Sequence, residues 1–313
     1  MPVAEHVSLY EATAGLVTML DPQRLTPGGT DGPMELAECV NIAIDDRGLA
    51  ELRHGGMRLQ DGNFHSLFCA GGDCFVVQER ENDAAIMRFS NDYGLVGVRS
   101  GLSRGRPMGW CEINGETYYG NGAQNGFIRD GTSRPWPTGE YHGPDADVVF
   151  SPAPVAELIG FRPGGQMLVA RENAIYINHL PFQFGLWNLA GGAIGFESDV
   201  RMLAMVRDGF FASDARRTWF FRKLEGWYHY QQALACDCPA LAGSLAHDRI
   251  DLAELGIEEA DGFGRIWAST EGLVLGMDNG GVIELSKERV RYPRGKTRGA
   301  CVIKDHIVLH TTW

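Results

Sequence analysis

Residues 262–292 read GFGRIWASTEGLVLGMDNGGVIELSKERVRY. Short apolar stretches alternate there with turn residues. GRIWAST (264–270) turns at Glu271-Gly272 into LVLGM (273–277), Asp278-Asn279-Gly280-Gly281 turns that into VIELS (282–286), and Lys287-Glu288 leads to RVRYP (289–293). Asn-Gly and Asp-Gly pairs supply the positive φ that tight hairpin turns require. The stretch therefore predicts four antiparallel strands in one small sheet, which is the blade unit of a β-propeller.

The same rhythm extends outward. FHSLFCA, CFVVQE, AAIMRF and LVGVR make a quartet over 64–99; MGWCEI, ETYYG, GFIRD and SRPWP make one over 107–137. VAELIGF, QMLVA, AIYIN and GLWNL follow over 155–189, then DVRMLAMV, GFFAS, RTWFFR and WYHYQQ over 199–231. Two half-units remain, CVNIAID with LAELRH near the N-terminus and GACVIK with HIVLHTTW at the C-terminus. Together they would complete a sixth quartet and close the ring, which removes unpaired sheet edges. The expected fold is all-β, a propeller of six four-stranded blades over 39–313, preceded by an arm at 1–38. Residues 138–154 and 234–261 read as long loops between blades, with a short helix candidate at 249–257.

Composition narrows the function. The chain has 313 residues, a formal net charge of -12 and 44% hydrophobic residues. An acidic chain is poorly suited to gripping phosphate backbones, so sequence-specific nucleic-acid binding is not expected. No apolar run approaches the roughly 20 residues that span a bilayer, and residues 1–20 lack the basic start of a secretory signal. The seven cysteines, an odd number, read as reduced and mostly buried thiols. Cys236-Asp237-Cys238 is the one tight pair; without a second C-x-x-C or H-x-x-H it is assigned no metal.

The N-terminal stretch is more specific. Gly15-Leu16 precedes Leu20-Asp21-Pro22-Gln23-Arg24-Leu25, and then 36–49 reads LAECVNIAIDDRGL, ending at Arg53-His54-Gly55-Gly56. As residues alone, Asn41–Asp45 alternate like a half-buried strand and Asp45-Asp46-Arg47-Gly48 is a turn. The combination resembles the opening of bacteriophage tail-associated virion structural proteins, with His54 where proline is usual and the first asparagine missing. Glu112–Tyr119 and Ile266–Val274 resemble later hairpins of the same proteins. The resemblance implies a propeller-based tail, neck or tip component, made in the host cytoplasm and located in the virion. It implies other tail subunits as partners, several copies in a symmetric assembly, and no cofactor.

No G-x-S-x-G elbow, Walker A loop or H-E-x-x-H helix occurs. Ser213–Trp219 faintly resembles the Asp-box turn of sialidases, but it reads better as a hairpin, as does Gly120-Asn121-Gly122 with Gly126. His179, His229, His247, His306 and His310 are each read as satisfied or exposed rather than as a ring of ligands. Of the aromatics at 182–187, 219–221 and 227–230, most should fill space between blades. The chain is expected to be non-enzymatic and to dock through its rim. The candidate contacts are Asp21, Arg24 and Leu25 in the arm, Tyr141 and His142 in the first long loop, and Arg291, Arg294 and Arg298 in a basic cluster. A carbohydrate-binding propeller is the alternative, a propeller glycosidase a more distant one.

Overall fold

In the computed structural model, side chains are described for residues 59–142, 149–253, 262–286 and 295–301, and backbone alone for 13–16, 34–36, 42–44, 50–52, 302–304 and 307–312. The described residues contain strands, turns and no helix. In the N-terminal part β1 (Thr13–Leu16) pairs in parallel with β2 (Met34–Leu36) in a sheet of their own. A hairpin of β3 (Ile42–Ile44) and β4 (Ala50–Leu52) follows, as the alternation of 41–52 predicts.

Five larger sheets come next. The first is β5 (Asn63–Ala70), β6 (Asp73–Glu79), β7 (Ala84–Phe89) and β8 (Leu95–Leu102). The second is β9 (Gly109–Ile113), β10 (Glu116–Gly120), β11 (Asn125–Arg129) and β12 (Thr132–Arg134). The third is β13 (Leu158–Arg162), β14 (Gln166–Arg171), β15 (Ala174–Leu180) and β16 (Gln183–Trp187), with β17 (Ala193–Gly195) also on β15. The fourth is β18 (Met202–Val206), β19 (Gly209–Ser213), β20 (Thr218–Lys223) and β21 (Tyr230–Cys236). The fifth is β22 (Ile250–Asp251), β23 (Phe263–Ala268), β24 (Leu273–Met277) and β25 (Val282–Glu284). The hairpin of β26 (Gly299–Lys304) and β27 (Ile307–Thr312) comes last. Strand order is sequential and antiparallel within each four-strand path. β5 lies against β9, β9 against β13, β13 against β18, β18 against β23 and β23 against β26. Successive sheets thus meet through their early strands, as blades do around an axis, and the fold is all-β and propeller-like. The hairpins at 42–52 and 299–312 fall where the sequence places the closing quartet; among the described residues each forms a two-stranded sheet of its own.

Turn chemistry fixes the hairpins. Asn114 and Gly115 both have positive φ (54° and 81°), as do Asp130 and Gly131 (52° and 69°). These are the mirror-image turns whose twist matches that of paired strands. The Asp-box-like stretch is a hairpin as well, for Asp214 Oδ1 accepts the Arg216 and Arg217 amides at 2.8 and 3.0 Å. Asn121 Oδ1 likewise accepts the amides of Ala123 and Gln124 in the turn between β10 and β11.

Hydrophobic side chains pack between sheets. Phe75, Ile86, Trp110 and Tyr119 join the first sheet to the second, and Tyr118, Trp136, Met167 and Trp187 join the second to the third. Leu168, Ile175, Phe210 and Phe221 fill the next seam. Phe211, Phe220, Cys236, Cys238 and Trp267 fill the one after. Burying a large apolar side chain contributes about 1.5–3 kcal/mol, so these seams hold neighbouring sheets together.

Three expectations are corrected. Residues 237–249 link the fourth sheet to the fifth without a regular strand, as a loop between blades does, but they do not stand out on a rim: Cys238, Ala240, Leu241 and Ala246 are buried, as are Cys236, Ile250 and Leu252 at either end. Leu241 N–H donates to Ala268 O (2.9 Å) and Ala246 N–H to Ile266 O (2.9 Å), so this run forms a broken edge of the fifth sheet, ending in β22. Ser244 Oγ donates to Ala268 O and accepts its amide, standing in for a backbone rung. The helix candidate at 249–257 therefore begins as strand and turn, because Ile250 and Leu252 both face the core of that sheet. The cysteines are not all reduced thiols, since Cys69–Cys74 and Cys236–Cys238 are disulfide-bonded. The first pair sits opposite across the turn between β5 and β6; Cys111 and Cys301 are free and buried.

Candidate functional site: an aromatic rim on the third and fourth sheets

The turn from β15 to β16 is Pro181-Phe182. Phe182 sits at φ 58°, a left-handed conformation that costs a non-glycine residue about 1–2 kcal/mol. The Phe182 amide donates to Gly165 O at 2.9 Å in the adjacent turn and holds it there. The residue nevertheless remains 54% exposed. Strain retained to present an apolar ring to solvent marks a position worth testing for contact with another molecule.

A ring cluster gathers around the end of β15. His179, near the end of β15, is 4.4 Å from the Phe150 ring and 5.2 Å from Tyr141, and those two rings are 4.5 Å apart. His179 Nδ1 and Tyr228 Oη are hydrogen-bonded at 2.8 Å, which ties the loop between β20 and β21 to the third sheet. That loop is anchored twice more. The Trp227 indole N–H donates to Asn178 O, and Gln166 Nε2 donates to Trp227 O. Tyr230 Oη completes the chain to Gln166 Oε1 at 2.8 Å. Buried Asn178 accepts the Met167 amide at 2.8 Å and donates to Gly165 O and Leu180 O, so the floor of the rim is rigid. Val149, 84% exposed, adjoins Phe150 in the chain.

A cleft of about 350 Å³ opens between the second and third sheets, lined by Glu116, Tyr118, Phe182 and Gln183 among others. Its lining holds one carboxylate. Glu116 accepts the Tyr118 hydroxyl at 2.7 Å and is ion-paired with Arg129. Glycoside hydrolysis by the common route needs two carboxyl groups flanking the bond, and this cleft does not offer them. Burial, reinforced by Cys111, pushes the Tyr118 hydroxyl up to about 12, so it stays a neutral donor.

The structure brings some expected contact residues together and separates others. Tyr141 joins the ring cluster. His142 is fully surface-borne, 3.8 Å from an equally exposed Glu140, a pair worth little in water. Arg298 is exposed and its backbone bridges to Ala242. Asp21, Arg24, Leu25, Arg291 and Arg294 lie outside the described residues, as does the strand expected at 289–293. Among the described residues the histidines do not converge: His179 joins the ring cluster, His229 Nδ1 lies 2.9 Å from Glu225 O, and His247 packs edge-on to Phe68 at 5.1 Å. The side chains of His306 and His310 are outside the described residues. Sequence reasoning missed Phe150 and Tyr228 as partners of Tyr141 and His179 in one cluster, because their proximity comes from loops of different sheets.

No family model matches this chain, and no curated protein matches it. Solved structures similar in overall shape include a protein from Lactobacillus plantarum (11% identity, 74% of this chain, 72% of that one, TM-score 0.47). Others are a functionally unknown protein from Desulfotomaculum acetoxidans DSM 771 (11%, 74% and 75%, 0.45) and a protein from Bacteroides uniformis ATCC 8492 provisionally described as a 6-phosphogluconolactonase (15%, 72% and 71%, 0.45).

Proposed function

We propose that this chain is a non-enzymatic structural subunit of a phage virion that docks to neighbouring tail subunits through the aromatic rim. The observation that carries the docking is Phe182, exposed and held in a left-handed backbone at the turn from β15 to β16; the Tyr141–Phe150–His179–Tyr228 cluster gathers separately around the end of β15. Exposed aromatics on a rigid floor are the residues that anchor protein interfaces. The virion assignment is supported by the resemblance of residues 15–56 and of the hairpins at 112–119 and 266–274 to tail-associated proteins.

Electron cryomicroscopy of the assembled particle tests the reading. The expected result is ring-shaped density at the tail with the rim buried against another subunit, and loss of that density when Phe182→Ser and Tyr141→Ser are combined in a chain that still folds. Absence of the protein from every particle would overturn it. A second reading, glycan binding, is favoured by the cleft beside Phe182. It predicts heat release on titrating the free protein with host-surface polysaccharide, reduced in Phe182→Ser.

A further inference from the structure

Cys236 ends β21, the last strand of the fourth sheet, and Cys238 begins the crossing to the fifth. Glu284 ends β25, the last strand of the fifth sheet. One ligand atom from each of the three lies within 4.8 Å of the others. We propose that, in its dithiol form, this trio is a binding site for a thiophilic divalent cation of the zinc class, clamping the fourth sheet to the fifth.

The donor set suits such an ion. Two thiolates and one carboxylate are ligands zinc takes, at about 2.3 Å from sulfur and 2.0–2.2 Å from oxygen, with a fourth position left for water. Both cysteines are buried, at 7% and 2% exposure, and Glu284 is half-buried, so the ion would be shielded without being sealed off. The loop is already shaped around sulfur. The Cys238 amide donates to Cys236 Sγ at 3.2 Å, and such a bond stabilises a thiolate more than a thiol. Asp237 points away to Arg217 (3.8 Å), which leaves the two sulfurs on the inner side. The surroundings are apolar, with Phe220, Ala240, Trp267 and Val274 in the same cluster. Two sulfurs in such a place are stable as a disulfide or as metal-bound thiolates, whereas bare thiolates would be costly.

The test uses the full chain. A phosphine reductant and one water convert the Cys236–Cys238 disulfide to two thiols, the water giving its protons to the sulfurs and its oxygen to the phosphine oxide; excess zinc is then added and removed by gel filtration. Atomic emission should find one zinc per chain, and cobalt(II) should give thiolate-to-metal charge-transfer absorption. Cys236→Ser and Cys238→Ser should each abolish both signals, and Glu284→Gln should weaken zinc by at least tenfold in competition with a chromophoric chelator. Circular dichroism confirms that each variant is folded. No zinc on the reduced wild type, equal zinc on the Cys236→Ser/Cys238→Ser double variant, or unchanged affinity in Glu284→Gln would overturn the proposal.

Discussion

His247 shows how one residue can tie stability to pH. It lies where side chains from several sheets converge: Phe68 of the first packs on it, and Arg265 of the fifth donates to its carbonyl and, at 3.1 Å, to Met205 O of the fourth. Desolvation by these packed neighbours, then the charge of Arg265, push it down to about 4 against the opposing pull of Asp248. The unfolded chain takes up a proton on this histidine near 6.5, the folded chain only near 4, so between those values the unfolded state binds more protons and stability falls as pH falls. His247→Gln should flatten the decline of the urea midpoint between pH 6.5 and 4.5. Glu79 acts lower on the scale. Burial works upward on its carboxyl, but hydrogen bonds from Gly105, His65 and Arg104 outweigh it and hold it below the usual value. Its stabilisation is therefore present above about 4.5 and is lost as pH falls through the lower folded-state value. A second residue-scale prediction concerns Asp278, which is 2% exposed and accepts the amides of Arg207 (2.8 Å) and Phe263 (3.1 Å) and the Arg249 guanidinium (3.1 Å). Asp278→Ala leaves these donors unmatched and should cost about 2–4 kcal/mol, measured by denaturant unfolding.

At the scale of elements, the strands with Asn-Gly, Asp-Gly or Gly-Gly turns were legible in the sequence, since few residues other than glycine and asparagine occupy positive φ. Gly115→Ala should destabilise the β9–β10 hairpin by about 1 kcal/mol, seen as a lower urea midpoint with unchanged slope. Gly276 is dictated by packing, because a Cβ there would lie 2.6–2.7 Å from the rings of Trp267 and Phe211. Gly276→Ala should cost more than Gly115→Ala for that reason. What the sequence hid was the edge of the fifth sheet. Pro239, Gly243 and Ser244 break the alternation over 239–250, and side-chain bonds from Ser244 replace regular rungs, so no period-two pattern survives to be read. Among the described residues β22, before β23, gives this sheet its fourth strand, and the strand expected at 289–293 lies outside them. The rim was hidden for a different reason: Tyr141, Phe150, His179 and Tyr228 belong to no shared motif and meet only once two sheets are side by side.

For the whole molecule, the sheets repeat but their joints carry the individuality, as the aromatic seams and the Asp278 strut show. The arm is the part that repetition does not explain. β1 and β2 pair with each other in a separate sheet, so deleting residues 1–30 should leave the midpoint of the propeller-like body, measured by thermal unfolding, within a few degrees of wild type. The seams have one more consequence, for synthesis. Because apolar side chains lie between consecutive sheets, each sheet emerging from the ribosome finds its complement already made, and folding can advance like a zip in step with translation. The growing end always presents one uncovered greasy face. Leu241, Ala246 and Ala268 stay in that condition until the segment bearing Cys301 arrives to cover them, so a stalled or clipped nascent chain is a ready client for chaperones.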